Sequence, residues 1–341
     1  MGKPARDWSD LPPEILHLIC KKLPDIYDFT VFHSVCKTWR SIECDPPLQL
    51  PWILEHRTMC DDPALSCYSL TSEKIHTITC PRSLGKCFLG PSYHYLLTYR
   101  VTKAGYSWSL LNPLTGNDVH LPSLEEDMMY WVEWIGSDKS GEHVVFSEIS
   151  HHSRGYNWSN TIVLRQIGDH NTVQFPLEGS SGNGKLYRNE EFFFIDVITG
   201  VTKVMNIRTQ KLVYEVPSIV RSHYDRQFWM VESGGEILHL SKTRGVNLDD
   251  LHFDIYRLDL GSGKRRACWV KIDSIGDQVL FLDEHRGVSF CASDYEGLGE
   301  NCIYFLAKLF LCKYDIKDGA AKELHCPFVG KDRTWFTPRL Y

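Results

Sequence analysis

Two stretches of this 341-residue chain, and its scattered cysteines, carry residue types that could do chemistry. Gly179-Ser180-Ser181-Gly182-Asn183-Gly184-Lys185 comes close to a phosphate-binding loop, in which glycine amides cradle phosphates and the lysine reaches the terminal group. The next residue is Leu186, where a serine or threonine hydroxyl must reach magnesium, and 187–195 reads as a hairpin. A phosphate cradle needs a helix N-terminus directly after its glycines. The segment therefore reads as an inter-strand loop. His151-His152 offers two imidazoles, but no H-E-x-x-H spacing or matching cysteine and carboxylate pattern accompanies them. The 12 cysteines are scattered from Cys20 to Cys326 with no C-x-x-C pair, which fits neither a zinc ribbon nor a disulfide scaffold. Reduced thiols acting as small core hydrophobes fit better. No G-x-S-x-G elbow presents a nucleophilic serine. The expectation is a non-catalytic chain with no metal and no cofactor.

Composition narrows the partners. The net charge of −6 gives no electrostatic footprint for nucleic acid, and the one tight basic run, Lys264-Arg265-Arg266, reads as a solvated hairpin tip. No apolar stretch approaches the ~20 residues that span a bilayer. The start, Met1-Gly2-Lys3-Pro4-Ala5-Arg6, has no hydrophobic signal region, and Arg6 stands where a myristoylation motif needs serine or threonine. An intracellular protein of the cytoplasm or nucleus is expected, for which the sequon Asn157-Trp158-Ser159 has no use.

The strongest pattern lies in the first 45 residues. Leu11, Ile15, Leu18 and Ile19 make one apolar stripe at helical spacing, with Glu14, His17, Lys21 and Lys22 opposite. Ser9 or Asp10 can cap this helix, prolines 12 and 13 suit a first turn, and Pro24 ends it. Asp25 or Asp28 can cap a second helix carrying Ile26, Phe29 and Phe32, and Val35, Trp39 and Ile42 line a third. Three short helices of this size cannot bury all their apolar residues, so the leftover surface implies a partner.

From about Leu54 onward the chain reads as all-β, with runs of Val, Ile, Phe, Tyr and Trp alternating with polar residues and punctuated by Gly, Asn, Asp and Pro. A strand, turn, strand pattern recurs at 68–74, 111–116, 165–169, 195–200, 258–263 and 314–319. These six hairpins resemble the outer hairpins of successive propeller blades. The fold class is thus a two-domain protein with a short all-α head and an all-β body, most consistent with a β-propeller of about six blades. Seven blades, if 212–240 divides differently, or stacked antiparallel sheets are the alternatives. The expected organisation is a helical domain at 1–45, a stiff Pro-rich connector at 46–53 and the β body at 54–341.

Leu11-Pro12, Glu14-Ile15, Ile19, Leu23, Val35-Cys36-Lys37 and Trp39-Arg40 together resemble an F-box, the helical motif that binds the Skp-type adaptor of cullin-based ubiquitin ligases. Ile275–Leu282, Val288-Ser289-Phe290, Asn301–Phe305, Tyr314-Asp315-Ile316 and Trp335-Phe336-Thr337-Pro338 are similar, in the same order, to plant F-box proteins with a kelch-like or β-propeller C-terminal domain of unknown function. The resemblance implies a substrate-recognition subunit of a Skp-cullin-F-box ligase, with a Skp-family adaptor and through it a cullin as partners, and an unknown protein target on the β body. It assigns adaptor binding to Leu11, Pro12, Ile15, Leu16, Ile19, Leu23, Val35, Cys36 and Trp39. The alternative is an F-box binding or regulatory module with no ligase role. For the target, Met128, Met129 and Trp131, after the acidic Glu125-Glu126-Asp127, form a candidate aromatic patch, with an inner-strand packing role as the competing reading.

Overall fold

The computed structural model describes residues 8–55, 62–92, 94–103, 105–121, 131–137, 143–152, 158–166, 172–177, 181–196, 199–209, 211–219, 226–243, 248–261, 266–284, 286–307, 309–328 and 333–340. For 89–92, for the strands between 131 and 177, and for 181–185, only the backbone is described.

The head holds α1 (Pro13–Lys21), α2 (Ile26–Ser34) and a single-turn α3 (Lys37–Arg40). Proline sits in the first turn of α1, where its missing N–H costs nothing, and Asp25 caps α2 by accepting a hydrogen bond from the Tyr27 amide at 2.8 Å. Ile26, Phe29 and Phe32 are buried, as their spacing requires. The expected stripe on α1 is only part of the truth. The residues of α1 that are buried are Leu16 and Cys20, whereas Ile15 and Leu18 are exposed. Val35 precedes α3 rather than lying on it, and is exposed as well.

The body is a β-propeller built from five four-stranded sheets and one five-stranded sheet. Sheet I takes its inner strand, Arg333–Phe336, from the C-terminal end of the chain and its other strands, Trp52–Glu55, Ala64–Ser69 and Lys74–Thr79, from the start of the body. Its register pairs Ile53 with Trp335 and Leu54 with Thr334. Sheets II to V are consecutive meanders over 87–120, 131–177, 181–216 and 226–272, and sheet VI covers 278–324. Inner strands touch the neighbouring sheets all the way round, so the ring closes and protects edges that an open sheet would expose. The first body strand begins at Trp52.

Five of the six expected hairpins, 68–74, 111–116, 165–169, 258–263 and 314–319, fall in the chain between the two outermost strands of sheets I, II, III, V and VI; the sixth, at 195–200, falls between the second and third strands of sheet IV instead. Gly116, Gly200, Gly261 and Gly319 supply the positive φ that these turns demand. The segment with phosphate-loop composition is likewise corrected: Ser181–Arg188 is itself the inner strand of sheet IV, and no helix follows it. Sheet VI departs from a meander. Gln278–Leu282 pairs in parallel with Cys302–Leu306, and Gly287–Cys291 adds an extra strand inside it. Gly287 has no side chain to spare there, since a Cβ would collide with Val231 and Leu282.

Ring closure is locked by Asp283, which is buried. Its Oδ2 accepts from Thr334 Oγ1 at 2.7 Å and from the Trp335 amide at 3.3 Å, and its Oδ1 accepts from the Arg286 amide at 2.8 Å. Trp335 donates its indole N–H to Leu282 O at 2.8 Å and meets Phe281 edge to face at 5.1 Å. Trp335→Ala should therefore cost about 3–5 kcal/mol of folding stability, measured by urea denaturation.

Sheet II contains a buried ion pair. Lys86 Nζ lies 2.6 Å from Asp118 and also donates to Ser109 Oγ at 2.7 Å. Burial pushes the Asp118 carboxyl upward, but hydrogen bonds from Lys86 and Ser109 and the lysine charge outweigh it, leaving a net shift below the usual value. A depressed folded value means that the pair's stabilisation is present above the unfolded carboxylate pKa, about 3.9, and disappears as pH falls through the lower folded value. The stability advantage of the wild type over Asp118→Asn should hold above about pH 4 and shrink below it, as read from urea midpoints across pH.

Candidate adaptor-docking head

The head closes its own small core. Leu16, Cys20, Phe29 and Phe32 form a buried cluster, against which Leu11, Ile19, Leu23, Trp39 and Ile42 pack half-buried. Trp39 tilts against Phe32 at 4.7 Å and donates its indole N–H to Trp8 O at 3.2 Å. Arg40 Nε donates to His33 O at 3.2 Å, tying α3 back to the end of α2.

With that core complete, apolar side chains remain outside. Ile15 and Leu18 on α1, Val31 on α2, Val35 after it and Trp8 before α1 are 43, 55, 46, 55 and 70% exposed. Lone exposed apolar residues are ordinary, but five within a head of about 35 described residues are a concentration. The nine residues expected to bind the adaptor therefore divide. Pro12, Ile15 and Val35 are exposed, and Leu11, Ile19, Leu23, Cys36 and Trp39 are half-buried. Leu16, at 0% exposure, belongs to the head's core and offers no surface, because the burial stripe of α1 is rotated onto Leu16 and Cys20. Leu18, Val31 and Trp8 are surface residues that the motif alone did not single out. Of the target-binding candidates, Met128 and Met129 lie outside the described residues, and Trp131 opens a strand whose backbone alone is described.

A buried carboxylate sits at the centre of the junction between head and propeller. Asp25, 1% exposed, uses Oδ1 to cap α2 and Oδ2 to accept from His76 Nε2 at 3.0 Å and from Ser72 Oγ at 3.1 Å. His76 is in sheet I, stacked between Tyr27 of α2 at 4.7 Å and Trp52 of the body at 5.0 Å. Ile26 sits in the same apolar cluster as Trp52, Leu54, Leu65, Cys67 and Phe336, and Leu340 packs against both this cluster and the head core. Gln49 completes the seam by donating from Nε2 to Pro24 O at 3.1 Å. Two further groups at the seam, Gln49 Oε1 and Trp52 Nε1, are buried without a partner.

Among the described residues, no group of three or more His, Cys, Asp and Glu side chains is placed to hold a metal ion, and no helix is long and apolar enough to cross a membrane.

A helical head with a free apolar face, fixed to a closed ring of β-sheets, defines an F-box protein with a propeller body. Comparison with known families agrees: residues 8–50 match the F-box domain, and residues 67–331 match the KIB1-4 beta-propeller. The chain belongs to the family of F-box proteins that carry a KIB1-4 beta-propeller. Among curated relatives it is similar to an F-box protein of Arabidopsis thaliana, 23% identical over 360 residues and covering 90% of this chain and 83% of the relative. It is also similar to an F-box/kelch-repeat protein of Arabidopsis thaliana, 25% identical over 321 residues and covering 84% of this chain and 78% of the relative. Among solved structures it is similar to TolB from Acinetobacter baumannii, with a TM-score of 0.46 and 11% identity over 91% of this chain and 73% of that one.

Asp25→Ala removes a helix cap, worth about 1 kcal/mol, and leaves two donors on the propeller without their acceptor. The variant should lose about 2–4 kcal/mol in urea denaturation, on the scale of a broken buried hydrogen-bond network. Asp25→Asn, which can keep an oxygen on the Tyr27 amide, should lose less.

Proposed function

We propose that this chain is a substrate-recognition subunit of a Skp-cullin-F-box ubiquitin ligase. The observation that carries the reading is the apolar face left on a head whose core is already filled. Pro12, Ile15, Leu18 and Val35 would contact a Skp-family adaptor directly, Leu11, Ile19, Leu23, Cys36 and Trp39 would support that face from half-buried positions, and Leu16 would act through the core. The family membership favours the same partner. Through the adaptor the chain would reach a cullin, and it would work where that machinery is found, in the cytoplasm or nucleus.

The body, taken with each sheet as one blade, would hold a protein target. Its chemistry would be positioning. Holding a target lysine close to a ubiquitin thioester raises its effective concentration and demands no catalytic group from the receptor. The buried seam at Asp25 suits that task, because a receptor hinged loosely between head and body would dilute the advantage it confers.

Co-expression of the full chain with a Skp-type adaptor tests the docking half. A stable complex is expected on size-exclusion chromatography. Ile15→Ala should weaken it about 30-fold, corresponding to about 2 kcal/mol for a hot-spot residue, while leaving the urea midpoint unchanged. Failure of the wild-type chain to retain the adaptor would overturn the reading. Reconstituted ligase activity on captured proteins tests the other half, where ubiquitination independent of this chain would contradict a receptor role.

A further inference from the structure

The head contains two cysteines that its docking role does not use. Cys20 lies in the last turn of α1 and is 2% exposed; Cys44 lies on the chain that leaves α3 and is half-buried. Both pack in the cluster of Leu16, Phe29 and Phe32, and both line one cavity of about 630 Å³ together with His17, Leu23 and Pro47. Cys44 stands near enough to Cys20 to raise its thiol above the usual range. A sulfur–sulfur bond of ~2.05 Å needs the two side chains to turn toward each other, and the cavity they share leaves room for that turn.

We propose that Cys20 and Cys44 are a modification site, closing to a reversible disulfide under a peroxide oxidant. Cys44, the more accessible of the two, reacts first: its thiolate sulfur attacks one oxygen of hydrogen peroxide, the O–O bond breaks, and a sulfenic acid and hydroxide result. The Cys20 sulfur then attacks the sulfenic sulfur, forming the S–S bond and expelling hydroxide, which takes up the Cys20 proton to leave as water. Two thiols lose two electrons in all, and one peroxide becomes two waters. Small thiols such as glutathione reverse the step by exchange, themselves becoming the oxidised pair. Burial first, and the neighbouring Cys44 next, push the Cys20 thiol up to about 12, which leaves Cys44 as the sulfur that attacks the peroxide.

The closed bond encloses α2 and α3 in a covalent loop. It also ties α1 to the segment of Ser41, Ile42 and Glu43, which with Leu18 lines the adjoining cavity of about 660 Å³. The proposal stands whether or not the adaptor binds, because its readout is the bond itself.

The test is peroxide titration of the full-length reduced chain at neutral pH without denaturant, followed by alkylation, non-reducing digestion and mass mapping. A Cys20–Cys44 linked peptide, two hydrogens lighter than the reduced pair and lost on dithiothreitol treatment, should appear at lower peroxide than any other link. The accessible Cys87, Cys268 and Cys291 serve as internal controls for simple exposure. The oxidised chain should show a raised urea midpoint for head unfolding, and Cys44→Ser should abolish both the link and the shift. Separate alkylation of Cys20 and Cys44 after oxidation, a sulfinic acid on Cys44 without a link, or pairing of Cys44 with another cysteine would each overturn the proposal.

Discussion

One carboxylate, Asp25, carries the buried side-chain hydrogen bonds that link α2 to the first sheet of the body, beside the apolar contacts of Ile26 and Leu340. It starts α2 by capping the Tyr27 amide, and the same side chain accepts hydrogen bonds from His76 and Ser72 in the first sheet of the body. A buried carboxylate survives only when its lone pairs are filled, and three donors from two domains fill them here. The cap of the helix and the attachment of the head are thus a single interaction. Removing the acceptor harms both at once, so the placement of the head's exposed apolar side chains depends on the contact that lets α2 begin.

The propeller repeats this economy at its closure. Asp283 holds the inner strand of sheet I through Thr334 and Trp335, and the pairing of that strand with Trp52–Glu55 joins the two ends of the body into a ring. The two anchors meet in the same sheet, because Asp25 engages its outer strand and turn while Asp283 engages its inner strand. Leu340, just beyond the closing strand, packs against both the head core and the seam. Head position and ring closure therefore share one sheet and one C-terminal segment.

Much of this was legible in the sequence because it is local. Pro24 and Asp25 mark the break between helices, Ile26, Phe29 and Phe32 mark a buried face, and glycines at 116, 200, 261 and 319 mark turns, each through a rule that operates within a few residues. What escaped the sequence is non-local or degenerate. α1 is apolar on two sides, so periodicity alone could not say that Leu16 and Cys20 face inward while Ile15 and Leu18 face out. The acceptors and donors of the seam are 47 and 51 residues apart, and nothing in the spacing of Asp25 announces His76. The inner-strand role of Ser181–Arg188 was hidden by glycines that read as loop, and the parallel pairing in sheet VI by strands that look like any others. The candidate patch of Met128, Met129 and Trp131 was the least legible reading, since strand aromatics serve packing and recognition with the same residue types.

The claim that head and propeller form one unit through Asp25 is tested most directly by native-state hydrogen exchange on the full-length chain. If the seam is the controlling contact, amides of α2 such as Phe29 and Phe32 should exchange through the same opening as those of Lys74–Thr79, with matching protection and matching dependence on added urea. Protection of α2 that is lower by several orders of magnitude than that of Lys74–Thr79, with little dependence on urea, would show a head that opens by itself and would contradict the account.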